Sequence, residues 1–478
     1  MAKKGKGQKK KKRRKNQKNA LLRQKKAIEA RQERAREARE EAKKRKAEEE
    51  AKKGEAQEEA KSEPLALKAK KAVFTPPPVD PLLEALNNRY DEFEQEEDYE
   101  GRIALFFKTM DDELLDAENA FHMLGKIYDQ SASYGDEGRD RFDSLVGVLR
   151  ERYPDVYEED AQYYLDWMIS NALATNRSQD LPGLADQVAT IAGKDLDIFY
   201  NTVHQFAYHG QLNLIVQMMR QGYPYLQENE GKYFYGVTTE FASRAMNYEI
   251  FAYLEEHPTG NASDPALRER IEHYGQDDVH WDNIANSISY MSGQADTQWT
   301  LAHFGLDSDL SGDDYDPEDD EMSHNLQNFM TAFLHYLRRS EGISYPKGEQ
   351  ARAAIHEYLL ERQAGKLKPR ESMFKRSSRS KRKRRTPKAD HFFLPDPDTL
   401  DHHLGNLMNF INPQIYSAAS MYELLPAWLR YLEANHLIDG AQRQKTVNQL
   451  AKMKDNMLKV LTHYFSDPAM LQATKNWG

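Results

Sequence analysis

From about position 80 onward, apolar residues recur at three- and four-residue intervals, the spacing of one face of an α-helix. Lys194–Gly222 shows the pattern best. Leu196, Phe199, Tyr200, Val203 and Ala207 share one face of a first helix, and Leu212, Ile215, Val216 and Met219 share one face of a second, with His209-Gly210 as the turn. Helices this short cannot bury an apolar stripe alone, so the two must pack on each other and on neighbours. The same spacing predicts helices at roughly 80–95, 101–108, 112–130, 137–152, 156–175, 183–193, 195–208 and 211–221, then at 230–244, 246–257, 264–274, 279–291 and 296–304. Two longer ones follow at about 322–339 and 348–363. Only Lys232–Thr238 is ambiguous between helix and strand. From Leu400 a last module carries two stripes, Leu424, Leu425, Trp428, Leu429 and Leu432, then Val447, Leu450, Met457, Leu461 and Tyr464, with Asp439-Gly440 between. The expected fold is all-α: an antiparallel helix-pair array of the α-solenoid kind, a small C-terminal helical module and disordered basic segments.

Charge changes this picture, because it is unevenly spread. The 478-residue chain has a net charge of −10, yet residues 1–72 hold 28 Lys/Arg against 12 Asp/Glu and residues 366–388 hold 12 against one, leaving −37 on the remainder. An acidic body thus carries two basic appendages. The first 20 residues have no acid and no apolar periodicity and are expected to be disordered. Residues 21–60 are rich in Ala, Glu, Lys and Arg and suit a lone polar helix without a coiled-coil seam. Thr75-Pro-Pro-Pro-Val-Asp-Pro81 reads as a stiff spacer. The resulting division is a basic arm, 1–72; a Pro-containing acidic linker, 73–100; the helical array, 101–304; an acidic loop, 305–321; a helix pair, 322–365; a basic linker, 366–399; and the C-terminal module, 400–478.

Composition excludes several chemistries. With no cysteine, disulfides, thiol catalysis and Cys-type zinc sites are ruled out. No apolar run approaches the ~18 residues of a spanning helix, and no apolar stretch follows the basic N-terminus as in a secretory signal. A cytoplasmic protein without a membrane partner is expected. There is no GxxxxGK[ST] or GxGxxG phosphate loop and no GxSxG elbow.

Three local patterns suggest binding. Gly210-Gln-Leu-Asn-Leu-Ile-Val-Gln-Met-Met-Arg-Gln-Gly222 resembles the second helix of an ankyrin repeat, with Met246–His257 a looser copy about 36 residues on. That resemblance implies a concave protein-binding surface and no chemistry. Asp307-Ser-Asp-Leu-Ser-Gly-Asp-Asp-Tyr-Asp-Pro-Glu318 resembles the calcium loop of an EF-hand. By that resemblance Asp307, Asp309, Ser311 and Glu318 would supply side-chain oxygens and Asp313 its carbonyl. Asp314 and Pro317 depart from the family pattern, so calcium would bind weakly. The third pattern is cationic. Lys9, Lys10, Lys11, Lys12, Arg13, Arg14 and Lys15 form one run, and Lys381, Arg382, Lys383, Arg384 and Arg385 another. Such runs bind RNA or DNA by counterion release, without reading sequence.

Other constellations are better explained by packing. Asp401-His402-His403 matches a phosphoesterase triplet but lacks the further clusters that family needs. Glu321-x-x-His324 and Glu433-x-x-His436 have di-iron spacing without the accompanying glutamates. His204 and His209 diverge around a helix and suit packing and capping. Tyrosine pairs such as Tyr163-Tyr164 and Tyr223-Pro-Tyr225 suit helix packing, with a recognition groove as the alternative. The expected function is a non-enzymatic scaffold that binds protein partners and is tethered to nucleic acid or a ribonucleoprotein by its basic arms, without a cofactor. The alternatives are a regulatory adaptor with intramolecular basic clamps and a calcium loop, and an enzyme on an unfamiliar helical scaffold. Oligomeric state is not legible.

Overall fold

The computed structural model describes residues 81–229, 236–275, 279–295, 297–306, 320–367, 391–409, 413–464 and 467–478. The basic arm, nearly all of the Pro-rich spacer, most of Lys232–Thr238, most of the acidic loop and nearly all of the basic stretch 366–388 lie outside them.

The chain is all-α, with no strand among the described residues. Its first helices are α1 (Pro81–Gln95), α2 (Tyr99–Asp111), α3 (Ala117–Ser131), α4 (Gly135–Arg152), α5 (Pro154–Ala174) and α6 (Leu181–Ile191). Then come α7 (Leu196–Tyr208), α8 (Leu212–Glu228), α9 (Val237–Glu256), α10 (Pro265–Glu272) and α11 (Trp281–Met291). After a 3₁₀ turn at Leu301–Phe304 follow α12 (Asp320–Ser340), α13 (Tyr345–Gln363), α14 (Pro397–Leu407), α15 (Ile415–Ala434), α16 (Gly440–Leu450), α17 (Lys454–Tyr464) and α18 (Pro468–Lys475).

Local chemistry explains where these helices begin. Aspartate caps seven of them, its carboxylate accepting from backbone N–H groups of the first turn: Asp98, Asp116, Asp195, Asp264, Asp396, Asp439 and Asp467. At Asp264-Pro265, Asp396-Pro397 and Asp467-Pro468 a proline then fills the first helical position, where its missing N–H is not needed. Asp439 and Gln442 form a reciprocal capping box.

The structure departs from the periodicity at three places. Helix α8 does not stop near Gly222 but runs through Gly222 and Pro224 to Glu228. A Cβ at Gly222 would sit 3.0 Å from Phe199 and 3.2 Å from Ala192, so this glycine permits close helix packing and does not end the helix. The expected helices 230–244 and 246–257 are one helix, α9, whose Ala245 is fully buried at the supposed break. Only Leu301–Phe304 of the expected 296–304 helix is helical, as a single 3₁₀ turn.

Packing proceeds along the chain, α3 on α4, α4 on α5, α5 on α6, α6 on α8 and α8 on α9. The C-terminal helices then pack against the array: α15 lies on α13, and both α13 and α15 pack against α7. The largest core joins α12–α18 around Trp428, whose indole N–H donates to the Phe393 carbonyl at 3.1 Å. Helix α7 connects the two halves. Val203 and Phe206 belong to the core of the array, while Tyr208 belongs to that of the C-terminal helices. Tyrosine pairs divide between core and surface: Tyr164 and Tyr223 are buried, Tyr163 and Tyr225 exposed. No helix among the described residues is long and apolar enough to cross a membrane.

Candidate functional site

The packing of α13 and α15 on α7 leaves two adjoining cavities. The larger, about 680 Å³, lies where α3, α4, α5 and α7 meet the start of α15 and the start of α18. The second, about 520 Å³, opens on the other face of α7, towards α9 and α13. Asn201, His204 and Gln414 line both. Volumes of this size are those of small-molecule sites.

Asp166, on α5, is the most perturbed acid of the larger cavity. Burial raises its carboxyl to about 6, and the amide of Gln205, donating to Oδ1 at 2.7 Å, offsets only part of that rise. Gln205 is itself held by Ser170, whose hydroxyl donates to its Oε1 at 3.4 Å. Burial also raises the phenols of Tyr128 and Tyr416, helped by the negative charge of Asp166 and, for Tyr416, of Asp467. Asp467 differs from Asp166. Burial pushes it up, but contact with His209 at 2.8 Å and the N–H groups of Ala469 and Met470 outweigh this, and its carboxyl ends below the ordinary range.

His204 stands between the cavities. Gln350 of α13 donates to its Nδ1 at 3.2 Å and to its carbonyl at 2.8 Å, locking α7 to α13. Burial, then the neighbouring Arg244, pushes its imidazole down to about 4, so it is neutral near pH 7. The second cavity is acid-rich: Asp197, Glu240, Glu349 and Glu357 line it together with Arg244. At the join of the two halves, Tyr208 donates to Glu423 at 2.9 Å, and Lys347 bonds Glu423 at 2.7 Å while lying 4.1 Å over the Tyr208 ring.

None of the residues singled out for ligand binding from the sequence is part of this site. The cations Lys9–Lys15 and Lys381–Arg385, and the loop residues Asp307, Asp309, Ser311, Asp313 and Glu318, lie outside the described residues. His403 is buried with Nδ1 3.0 Å from Glu361 on α13, an interhelix contact. Glu433 pairs with Arg443 at 2.7 Å, and His436 turns the chain out of α15 in a left-handed conformation. Neither has a di-iron arrangement, and among the described residues no group of three or more His, Asp or Glu side chains could hold a metal ion. His209 caps the end of α7. Asp166, Arg139, Tyr416 and Asp467 carry no motif that spacing could find, because they come from four separate elements.

No family model, no curated protein and no solved structure matches this chain.

Proposed function

We propose that this protein is a non-enzymatic helical scaffold whose acidic body engages protein partners and whose basic segments tether it to nucleic acid. One observation supports the tethering most directly. Leu367, just before the second basic segment, and His391–Phe393, just after it, are buried in the same region of the molecule, with Leu367, Phe392 and Phe393 in one core. Arg362 clamps the return point, donating to the carbonyls of His391, Phe392 and Leu394. Residues 368–390 are therefore an insertion whose two ends are fixed in a folded body. Eleven of its residues are Lys or Arg and two, Glu371 and Asp390, are acids. A cationic insertion of this kind suits a polyanion bound by counterion release.

The test is fluorescence anisotropy of labelled single-stranded RNA and duplex DNA with the full chain. Affinity is expected to fall steeply, by orders of magnitude, between about 50 and 200 mM salt. Replacing Lys9–Lys15 and Lys381–Arg385 by serine should abolish binding. Salt-independent affinity, or full affinity in the substituted chain, would refute the proposal. The acid-lined second cavity favours a second reading, in which the cations clamp onto the protein's own body. In that case the wild type binds no nucleic acid, and the serine-substituted chain melts earlier at low salt.

A further inference from the structure

Asp166 is a half-buried carboxylate without a counter-charge. Its hydrogen-bond donor is the neutral Gln205 amide, and no Lys, Arg or His side chain among the described residues pairs with it. Removing an ionised carboxylate from water costs several kcal/mol, and one amide returns only part of that. The helices around Asp166 do not close over it but leave the larger cavity beside it.

The lining of that cavity narrows what could neutralise Asp166. Asp467, the other carboxylate near Tyr416, is already satisfied by His209 and its helix N–H groups. Arg139 donates to Asn171 at 3.1 Å. A hard metal ion needs about six oxygen ligands, and no cluster of three ionisable ligands exists among the described residues. Trp167 offers little to a cation, since Phe121 and Tyr128 stack on it at 5.5 and 5.2 Å. The same cavity is lined by further side chains that carry oxygen acceptors: Asp129, the hydroxyls of Tyr128, Tyr416, Ser170 and Thr462, and the amides of Asn201 and Gln414. Such a wall selects a cation that donates several N–H bonds.

We propose that this cavity binds a small diffusible organic cation bearing a protonated primary amine, with Asp166 as its counter-ion and the hydroxyl and amide oxygens as acceptors. This site is independent of the basic segments and of the tethering they provide.

Isothermal titration calorimetry of the full chain tests the assignment. Butane-1,4-diamine is the probe, and tetramethylammonium, which carries the charge but no N–H, is the control. The diamine should bind and tetramethylammonium should not displace it. Asp166→Asn, nearly isosteric, should weaken binding at least roughly tenfold while helical circular dichroism is unchanged. Tyr416→Phe keeps the ring and removes one acceptor, and should weaken binding by a smaller factor. The chain with Lys381–Arg385 replaced by serine should bind the diamine with unchanged affinity. The proposal is overturned by any of four results: no diamine binding at millimolar concentration, equal affinity in Asp166→Asn, displacement by tetramethylammonium, or tighter binding in the serine-substituted chain. The last would assign the site to the protein's own lysines.

Discussion

At the scale of single residues, Asp166 shows how little of a site sequence reveals. It is one of 77 acids in the chain, and nothing in its spacing marks it. Only in three dimensions does it line one cavity with Tyr128 from α3, Arg139 from α4, His204 and Gln205 from α7, Tyr416 from α15 and Asp467 before α18. Its environment predicts a pH signature. The folded carboxyl titrates at about 6, above the ordinary value near 4, so the native state holds a proton the unfolded chain has released. Stability from this group is present below about pH 4 and lost as pH rises through 6. Without ligand, Asp166→Asn should therefore raise unfolding stability at pH 7.5 by up to about 2–3 kcal/mol, a gain that shrinks to about 1 kcal/mol near pH 4.5. Urea unfolding at the two pH values measures the difference.

At the scale of elements, the helices follow from periodicity because side-chain spacing and aspartate caps act locally. Asp-Pro pairs start three of them, and each cap is worth about 1 kcal/mol. Glycine is where local rules failed. Gly222 is a reasonable helix terminator from composition, but its role depends on Phe199 and Ala192 from other elements. The contrast with Gly147, in α4 with open space around it, gives a paired prediction. Gly222→Ala should destabilise by about 1–3 kcal/mol through overpacking. Gly147→Ala, an unobstructed helical position, should stabilise by about 0.5–1 kcal/mol. Melting temperatures of the two variants should move in opposite directions, and a shift of the same sign would contradict the packing described for Gly222.

For the whole molecule, three desolvated histidines bear on the pH response. His204 and His356 belong to α7 and α13, and His391 lies at the return of the basic insertion. Burial pushes each down to about 4; Arg244, Arg352 and Arg362 respectively push the same way, while Glu349 offsets part of the shift at His356 and the Leu437 backbone part of that at His391. A base whose folded pKa is depressed stabilises the fold above its unfolded value near 6.5, and that stability is lost as pH falls towards 4. The raised carboxyls of Asp166, Asp129, Asp143 and Asp160 act against these three groups, and the lowered carboxyls of Glu94, Asp264, Glu341 and Asp467 act with them. With the histidines carrying the largest shifts in this range, stability should fall as pH drops from 6.5 towards 4. The urea midpoint at pH 7 compared with pH 5 checks this, and an equal midpoint would refute it.

From sequence alone came the all-α class, the approximate helix positions and the contrast between an acidic body and basic runs. Each depends on residues within one or two helical turns or on summed charge. Tertiary structure alone decided that Gly222 is a contact, that α9 is unbroken, that the C-terminal helices share a core with α12 and α13, and that the cavity exists. Those outcomes depend on which helix faces meet. Tyr128 and Tyr416 are 288 positions apart in the chain yet line one cavity. Asp166 lines that cavity because α7 and the start of α15 come to lie beside α5, a consequence of packing that no local pattern encodes.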